Sequence, residues 1–281
     1  MRNSNIQTRH CIDALNPIRS AALPAVLPDE KHFGIVFVGD FIGRALNKVR
    51  FSIDFSTFIH RVFTVQTAQE TSFLHSGDID FFFLIADLET DLSLAVLVAT
   101  TLQAQSVFTC CIALSPDNPL GARPFEGVRN NAETYRNASN AVIPISWSGD
   151  QAGINNAIRV CNSIAKSALD ARILGIDFED LCTQIFQQGC ECAYAYGAHL
   201  LVNTSQPLPG PQWLSHATTA LVIVETPALN MHGVARIARN SMSLVRAQMK
   251  PNAFVIYAVT INNSLQSQYT VSVLATKYRG E

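Results

Sequence analysis

Two groups of acidic side chains are the residues with the most evident chemistry. Asp87, Glu89 and Asp91 follow an apolar, strand-like run and precede a helical pattern. Carboxylate oxygens bind hard divalent cations, but acids at a helix start also occur simply as solvated charges. We favour the solvated charges, and we predict no metal site here.

A second acidic pair, Asp177 and Asp180, opens the next helical pattern after a long apolar periodicity. An aspartate followed three residues later by another acid is typical of a helix N-cap, because its side-chain oxygen accepts a backbone N–H. Capping alone would therefore explain the pair. A role at a contact surface is the competing hypothesis, and it arises from the resemblance described below.

Other reactive residue types form no recognisable site. Cys190 and Cys192 resemble half of a metal centre, but no second Cys or His pair has metal-ligand spacing. The seven histidines are scattered, and none pairs with a Ser or Cys in a nucleophile motif. A Walker A motif and a complete dinucleotide fingerprint are also absent from the sequence.

Composition narrows the class of protein. Charged residues make up 15% of the 281 residues, against about 25% in average domains, which favours self-association or a protein partner. The net charge of −2 without a basic run argues against nucleic acid. No apolar run reaches the roughly 18 to 20 residues of a membrane span. Seven irregularly spaced cysteines indicate reduced thiols and a cytoplasmic protein.

The elements that must position these residues alternate in the first half of the chain. Apolar runs without polar alternation predict strands buried on both faces, as in a parallel sheet covered by helices. These runs are His32–Val38, Asp80–Ala86, Val107–Leu114 and Ala141–Ile145. Gly39 and Gly43 follow the first run, where they are most simply turn residues. Helical patterns follow at 45–49 and 94–102, so residues 31–150 are predicted to be an α/β domain.

The second half differs. Apolar spacing over 151–174 predicts a long central helix, which together with the start of the following loop forms a central segment of residues 151–176. Another helix is expected from Phe178 to about Gly189. Strand-like segments at 193–202, 218–224, 253–260 and 269–276, with a helix over 231–249, predict a separate mixed sheet in an α+β domain of residues 177–281. Residues 1–30 carry three prolines without a sustained period, and we interpret them as a flexible lead-in.

This plan, and several local motifs, resemble the tubulin and FtsZ superfamily. The segment 174–180 resembles the family's synergy loop, and Pro124-Phe-Glu-Gly-Val-Arg129 resembles its ribose-contacting loop. The resemblance implies a mainly parallel Rossmann-like sheet, joined by a long central helix to a smaller mixed-sheet domain. It also implies vestigial nucleotide contacts at Gly39, Gly43, Glu126, Arg129 and Asn155. Glu126 and Arg129 are alternatively solvated loop charges.

The phosphate-binding loop departs from the family pattern. Where the family has a glycine-rich loop, this chain has Asp87-Leu-Glu-Thr-Asp-Leu-Ser93, which contains three carboxylates and no glycine. Backbone N–H groups approach phosphates only where side chains are absent, and acids repel a triphosphate more strongly than a helix dipole attracts it. Asn155 replaces the family's guanine-reading Asp and offers one acceptor and one donor group.

The segment that resembles the synergy loop, in contrast, keeps the acidic residues of the family pattern. In the family, two acids of the synergy loop enter the neighbouring subunit's pocket and polarise the attacking water. Asp177 and Asp180 stand at these two positions, whereas Gly175 replaces the family's Asn. The resemblance therefore implies a pseudo-GTPase without a cofactor, acting as an assembly protein on itself or on an FtsZ-type filament, in division or filament regulation. The alternatives are a GTP-binding, GTP-hydrolysing polymerising protein whose phosphate loop has drifted, and an unrelated small-molecule α/β enzyme.

Overall fold

The computed structural model describes residues 31–39, 58–75, 77–87, 90–115, 137–169, 174–186, 190–200 and 212–277. The predicted lead-in at 1–30 and the helical pattern at 45–49 lie outside these ranges. So do three predicted nucleotide contacts, Gly43, Glu126 and Arg129, together with Glu89.

A five-stranded parallel sheet forms the first part of the described chain. Its strands are β1 (Phe33–Val38), β2 (Ile59–Val65), β3 (Phe81–Asp87), β4 (Phe108–Ser115) and β5 (Ala141–Ser146), in the spatial order β2-β1-β3-β4-β5. A 3-10 helix, Ala68–Phe73, follows β2, and helix α1 (Leu92–Gln103) connects β3 to β4. The apolar runs of β1 and β3 are buried at every position, as expected for central strands covered on both faces.

Aromatic packing marks the amino ends of the two central strands. Phe33 and Phe81, the first residues of β1 and β3, have ring centroids 5.1 Å apart. Phe83 adds a third ring, 5.9 Å from Phe33. These side chains belong to the core cluster on the face of the sheet that carries the long helix. Such large, fully buried rings dominate core energetics, so they make this end of the sheet a firm platform.

The remaining elements form the mixed part of the sheet. Strands β6 (Cys190–Leu200), β7 (Thr219–Thr226), β8 (Phe254–Ile261) and β9 (Gln268–Lys277) lie in the order β6-β9-β7-β8. Strand β9 is antiparallel to both β6 and β7, whereas β7 and β8 are parallel. A 3-10 helix, Gln212–His216, precedes β7, and helix α3 (Met231–Arg246) connects β7 to β8.

The mixed strands expected in the second half of the chain are present, and they join the parallel strands at one narrow junction. Strands β5 and β6 pair over two positions only, Ala141 with Cys190 and Val142 with Glu191. Pro144 has no N–H to donate to a ladder, and the pairing ends two residues before it. The sheet is therefore continuous through nine strands but is narrowest at this junction.

The long central helix, α2, spans Gln151–Leu169. At its start, Asp150 Oδ1 accepts a hydrogen bond from Gly153 N at 3.1 Å, and Trp147 packs so closely on Gly153 that a Cβ there would lie 2.5 Å from the indole. The helix does not reach residue 174 as predicted. Leu174 instead forms an isolated antiparallel bridge with Val259 of β8, because its backbone groups find partners at the edge of that strand.

The segment after α2 also departs from the prediction of one regular helix. A single α-helical turn, Phe178–Asp180, runs into a π-helical turn, Leu181–Ile185. Strand β2 was not predicted at all, because its sequence IHRVFTV mixes polar and apolar residues at the sheet edge. Otherwise, the strand and helix types expected in the described ranges are confirmed.

Candidate functional site

The connections of the parallel sheet create a crevice between β1 and β3. In the order β2-β1-β3-β4-β5, the chain leaves these adjacent strands in opposite directions, and ligands of such sheets bind outside the carboxyl ends at this switch point. Val38 pairs with Ala86, so Gly39 and Asp87 are neighbours at that edge. The predicted candidates Gly39, Asp87 and Asp91 therefore do lie together.

Gly39 is required by the geometry of this crevice. Its φ is +99°, a region that side chains other than glycine rarely adopt. A Cβ at this position would lie 2.0 Å from Oδ2 of Asp91. The Asp91 carboxylate thus fills the space directly beside the glycine, where a ligand could otherwise approach the backbone.

Asp91 stands at the N-cap position of α1 but does not cap the helix through its side chain. Its backbone carbonyl accepts from Ala95 N at 2.9 Å, while its carboxylate turns toward Gly39 and Thr90. The Thr90 hydroxyl lies 2.9 Å from Asp91 Oδ2 and 3.0 Å from Oδ2 of the buried Asp87. One hydroxyl proton is therefore shared between two carboxylates.

This arrangement is suited to excluding an anion. Two unit charges of like sign 4 Å apart repel by about 4 kcal/mol at an effective dielectric constant of 20, and the crevice presents two carboxylates. Within the described ranges, no group of three His, Cys, Asp or Glu side chains could hold a metal ion. Thr90 was not among the predicted site residues, and its hydrogen-bonding type beside Asp91 is the only sequence signal for it.

Asn155 lies in the first turns of α2, which begins five residues after β5 ends at the same edge of the sheet. Its Oδ1 accepts a hydrogen bond from Gln151 Nε2 at 2.7 Å, four residues earlier on the helix. The Asn155 oxygen that could accept a hydrogen bond from a base is therefore already hydrogen-bonded to Gln151 on the same helix.

The second acidic group lies at the other end of the parallel strands. The Phe178 ring is 5.8 Å from that of Phe33 and 6.2 Å from that of Phe81, at the amino ends of β1 and β3. A strand of six or seven residues is about 20 Å long, and this length separates the crevice from the segment 174–180. We call this segment the acidic loop.

The backbone of the acidic loop is held at both sides. Leu174 N donates to Val259 O at 3.3 Å, Val259 N donates back at 2.9 Å, and Ile176 N donates to Ser167 O at 2.9 Å. Lys31 Nζ lies 5.6 Å from the centroid of the Phe178 ring, a cation–π contact. The loop is therefore a fixed feature that presents its polar side chains outward.

The two predicted aspartates are used differently. Asp177 Oδ1 accepts from Glu179 N at 2.8 Å, so Asp177 does cap the short helix. Asp180 is exposed, and its carboxylate forms no hydrogen bond or ion pair with other described residues. Capping therefore explains Asp177, whereas it does not explain Asp180.

Behind the acidic loop, Cys182 occupies the π-helical turn. Burial raises the pKa of its thiol to about 12, with Lys31 lowering and Asp80 raising it to a smaller extent. The thiol is therefore neutral at physiological pH and a poor nucleophile. The raised pKa indicates that the loop is tightly packed around this thiol, and we assign the thiol no chemical role.

A partly buried ion pair missed in the sequence connects α2 to the mixed part of the sheet. Lys166 Nζ lies 2.9 Å from Oε1 of Glu225, and both side chains are 15% exposed. Thr270 Oγ1 donates to the other carboxylate oxygen at 3.2 Å. The two residues are 59 positions apart, so no local spacing could have indicated the pair.

None of the helices in the described part of the chain combines the length and apolar character needed to cross a bilayer.

Comparison with solved structures identifies the fold. The chain is similar to an empty FtsZ dimer of M. jannaschii, with a TM-score of 0.64 and 14% identity over 98% of this chain and 93% of that chain. It is also similar to a GTPgS-bound CetZ2 protofilament of Haloferax volcanii, with a TM-score of 0.51 and 15% identity over 86% and 92%. TubZ of Bacillus thuringiensis serovar israelensis, in GDP-form protofilaments, matches with a TM-score of 0.51 and 11% identity over 88% and 86%.

No protein-family model and no curated protein sequence matches the chain. At these identities the structural matches establish the fold, which is the two-part α/β fold of FtsZ and tubulin.

Proposed function

We propose that this chain is an FtsZ-like assembly protein that associates with itself or with an FtsZ-type filament and does not turn over GTP. The fold supports the first part, since the solved neighbours are a dimer and protofilaments. The crevice supports the second part, and one observation carries it. The Asp91 carboxylate fills the space beside Gly39 at the switch point, with Asp87 next to it.

The acidic loop supplies the contact in this proposal. A loop whose backbone is already anchored loses little backbone freedom when a partner binds, which favours association through its exposed side chains. Asp180 is such a side chain, because the loop backbone is held and its carboxylate has no partner in the described part of the chain. Asp177 and Asp180 then act in trans on a neighbouring subunit, and the chain itself carries no cofactor.

Cysteine chemistry supports a reducing compartment, and we place the protein in the cytoplasm. Cys161 and Cys182 carry thiols rather than disulfides, which is typical of proteins outside oxidising compartments. Within that compartment, filament regulation and division are the processes that an FtsZ-like assembly protein would serve.

Co-sedimentation tests the proposal. The chain is centrifuged alone and with GTP-polymerised M. jannaschii FtsZ, and the pelleted fraction is measured for the wild type, Asp180→Ala and Glu179→Ala. We expect the wild type to enter the pellet, and Asp180→Ala to enter it several-fold less at an unchanged melting temperature. Glu179→Ala is the matched control, because it removes one exposed charge from the same loop.

Two results would overturn the proposal. If Asp180→Ala pellets like the wild type, the loop is only a helix start. If the chain binds GTP and hydrolyses it in its own crevice, the alternative of a functioning polymerising GTPase is correct.

A further inference from the structure

Charge is distributed unevenly along this chain. Residues 1–225 contain 21 of the 22 Asp and Glu residues and 14 of the 20 Lys and Arg residues. The last 56 residues contain six cationic side chains and a single acid, Glu281. The acidic loop, in contrast, contains three acids and no cation. Where folding brings these two segments together, one surface of the molecule carries both signs of charge.

Helix α3 carries two of the cations on its outer side. Its inner side packs on the mixed strands through Ile237 and Val245. Arg236 and Arg239 are exposed on the opposite side, which we call the arginine face. In the part of the chain that the structure describes, these two arginines donate no hydrogen bond and form no ion pair. Their guanidinium groups are therefore available for bidentate pairing with carboxylates.

Contacts through one strand residue place the arginine face beside the acidic loop. Val234 and Ala238 of α3 pack with Val259 of β8. The backbone of Val259 forms the antiparallel bridge with Leu174, the first residue of the acidic loop. The arginine face and the acidic loop therefore lie at the same end of the molecule, which we call the loop end.

The loop end also carries exposed apolar side chains. Leu174 is 47% exposed at the start of the acidic loop, and Met231 is 68% exposed at the start of α3. Protein interfaces combine apolar contact area with a polar rim, and arginine and methionine are enriched in them. The loop end thus offers apolar area together with both signs of charge.

The two charged groups of the loop end do not neutralise each other within one copy. The ion pairs among the described residues lie elsewhere, and none joins the acidic loop to the arginine face. A surface with an acidic part beside a basic part meets its complement twice when a second copy faces it after a half rotation. Such an isologous contact is the commonest one in homo-oligomers.

We propose that two copies bind loop end to loop end about a two-fold axis, with the arginine face of each copy paired with Asp180 of the other. Because both copies use the same surface, the contact closes at the dimer and generates no chain of copies. This inference rests on the proposed function and describes its regulation, since the dimer covers the acidic loop and withholds Asp180 from a filament.

A second copy fits the arginine face better than a lipid surface does. Helices that lie on anionic membranes insert Trp, Phe or Leu side chains into the bilayer. The exposed residues of α3 include none of these. A second copy, in contrast, brings a carboxylate to each arginine face and an apolar side chain to the exposed Leu174 and Met231.

Sedimentation velocity of the full chain, without nucleotide, tests the dimer. We expect a monomer–dimer equilibrium at about 50 mM NaCl that weakens strongly at about 500 mM, because salt screens exposed charges. Arg236→Gln/Arg239→Gln should weaken the apparent affinity by about tenfold or more. Arg61→Gln/Arg159→Gln, which removes the same charge elsewhere, is the matched control and should stay close to the wild type.

A charge exchange identifies the two surfaces that meet. Arg236→Glu/Arg239→Glu makes both parts of the loop end acidic, and Asp180→Arg makes the acidic loop more basic, so each variant alone should be monomeric. An equimolar mixture of the two should dimerise again, because acid then meets base at both contacts of the two-fold. Unchanged melting temperatures show that each variant is folded.

Co-sedimentation with GTP-polymerised M. jannaschii FtsZ tests the regulation. At concentrations where the wild type is dimeric, Arg236→Gln/Arg239→Gln should enter the pellet several-fold more than the wild type, because its Asp180 is no longer covered. Equal or lower pelleting of this variant would show that the dimer does not withhold the loop.

Four further results would overturn the inference. They are a monomeric wild type at both salt concentrations, a series of oligomers beyond the dimer, normal dimerisation of the arginine variant, and a charge-exchange mixture that stays monomeric. Binding of monomers to phosphatidylserine vesicles through the same arginines would assign the arginine face to lipid instead. If these results occur while Asp180-dependent pelleting with FtsZ persists, this inference fails and the proposed function stands. Pelleting that does not depend on Asp180 would instead remove the proposed function, whatever the state of the dimer.

Discussion

The crevice and the acidic loop are both acidic, but they hold their carboxylates in different ways. In the crevice, Asp87 and Asp91 turn toward Thr90 and Gly39, so the acids fill their own site. In the loop, the backbone is anchored and Asp180 points away from the protein without a partner in the described part of the chain. In our proposal, an identical residue type therefore closes one end of the molecule to an anionic ligand and leaves the other end ready for a partner.

The largest expected effect comes from Gly39, whose space Asp91 occupies. Gly39→Ala should destabilise the fold by about 2–4 kcal/mol, since it combines backbone strain with a clash against the Asp91 carboxylate. Chemical denaturation measures the change in the free energy of unfolding. Gly149→Ala is the matched control, because Gly149 also has a positive φ, +83°, but nothing lies within 4 Å of its Cβ position. It should cost about 1–2 kcal/mol from strain alone.

A double variant sharpens this test. In Gly39→Ala/Asp91→Ala the clash is removed, so the two substitutions should be less than additive by about 1 kcal/mol or more. Additive effects would show that Asp91 does not lie against Gly39, and the contrast between the two ends would break down.

A smaller effect is expected at Asp177, where capping is visible. Asp177→Ala should cost about 0.5–2 kcal/mol of stability, whereas Asp177→Asn should cost little because asparagine also caps. Thermal unfolding of both variants measures this. Equal melting temperatures for Asp177→Ala and the wild type would contradict the hydrogen bond to Glu179 N.

The smallest effect concerns the reactivity of Cys182. Since burial raises the pKa of this thiol to about 12, its thiolate is scarce at pH 8 and alkylation should be slow. The raised pKa also means that Cys182 contributes stability below about pH 9, and that this contribution is lost as the pH rises toward 12. Mass spectrometry of the peptide after iodoacetamide treatment gives the rate, and Phe178→Ala should accelerate it. Rapid alkylation of the wild type would show that the loop is loosely packed.

The sequence predicted much of the fold because long apolar runs carry a strong signal. Strands β1, β3 and β4 are buried on both faces, and no alternative element suits such runs. Strand β2 was missed because it lies at the edge of the sheet, where it pairs with β1. Its exposed Arg61 and partly exposed His60 interrupt the apolar run that would indicate a strand. The predicted helix over 151–174 was too long. The apolar residues keep helical spacing beyond the observed end of α2, but the backbone of Leu174 pairs with that of Val259 instead of continuing the helix.

The candidate site was predictable only in part. The carboxylates of the 87–91 segment are visible in the sequence, and so is the capping potential of Asp177. That Asp91 gives up capping to fill the space beside Gly39 is not visible, because it depends on β1 and α1 meeting across 52 residues. The ion pair between Lys166 and Glu225 was likewise missed, since the two residues are 59 positions apart in the chain.

Isothermal titration of GTP and GDP, with Mg²⁺, into the nucleotide-free chain tests the central claim most directly. We predict no saturable heat up to about 1 mM nucleotide, which excludes an affinity stronger than about 4 kcal/mol. No nucleotide should be released when the purified protein is denatured. Saturable binding near micromolar concentration, or a stoichiometric nucleotide in the denatured sample, would contradict the claim that the crevice has lost its ligand.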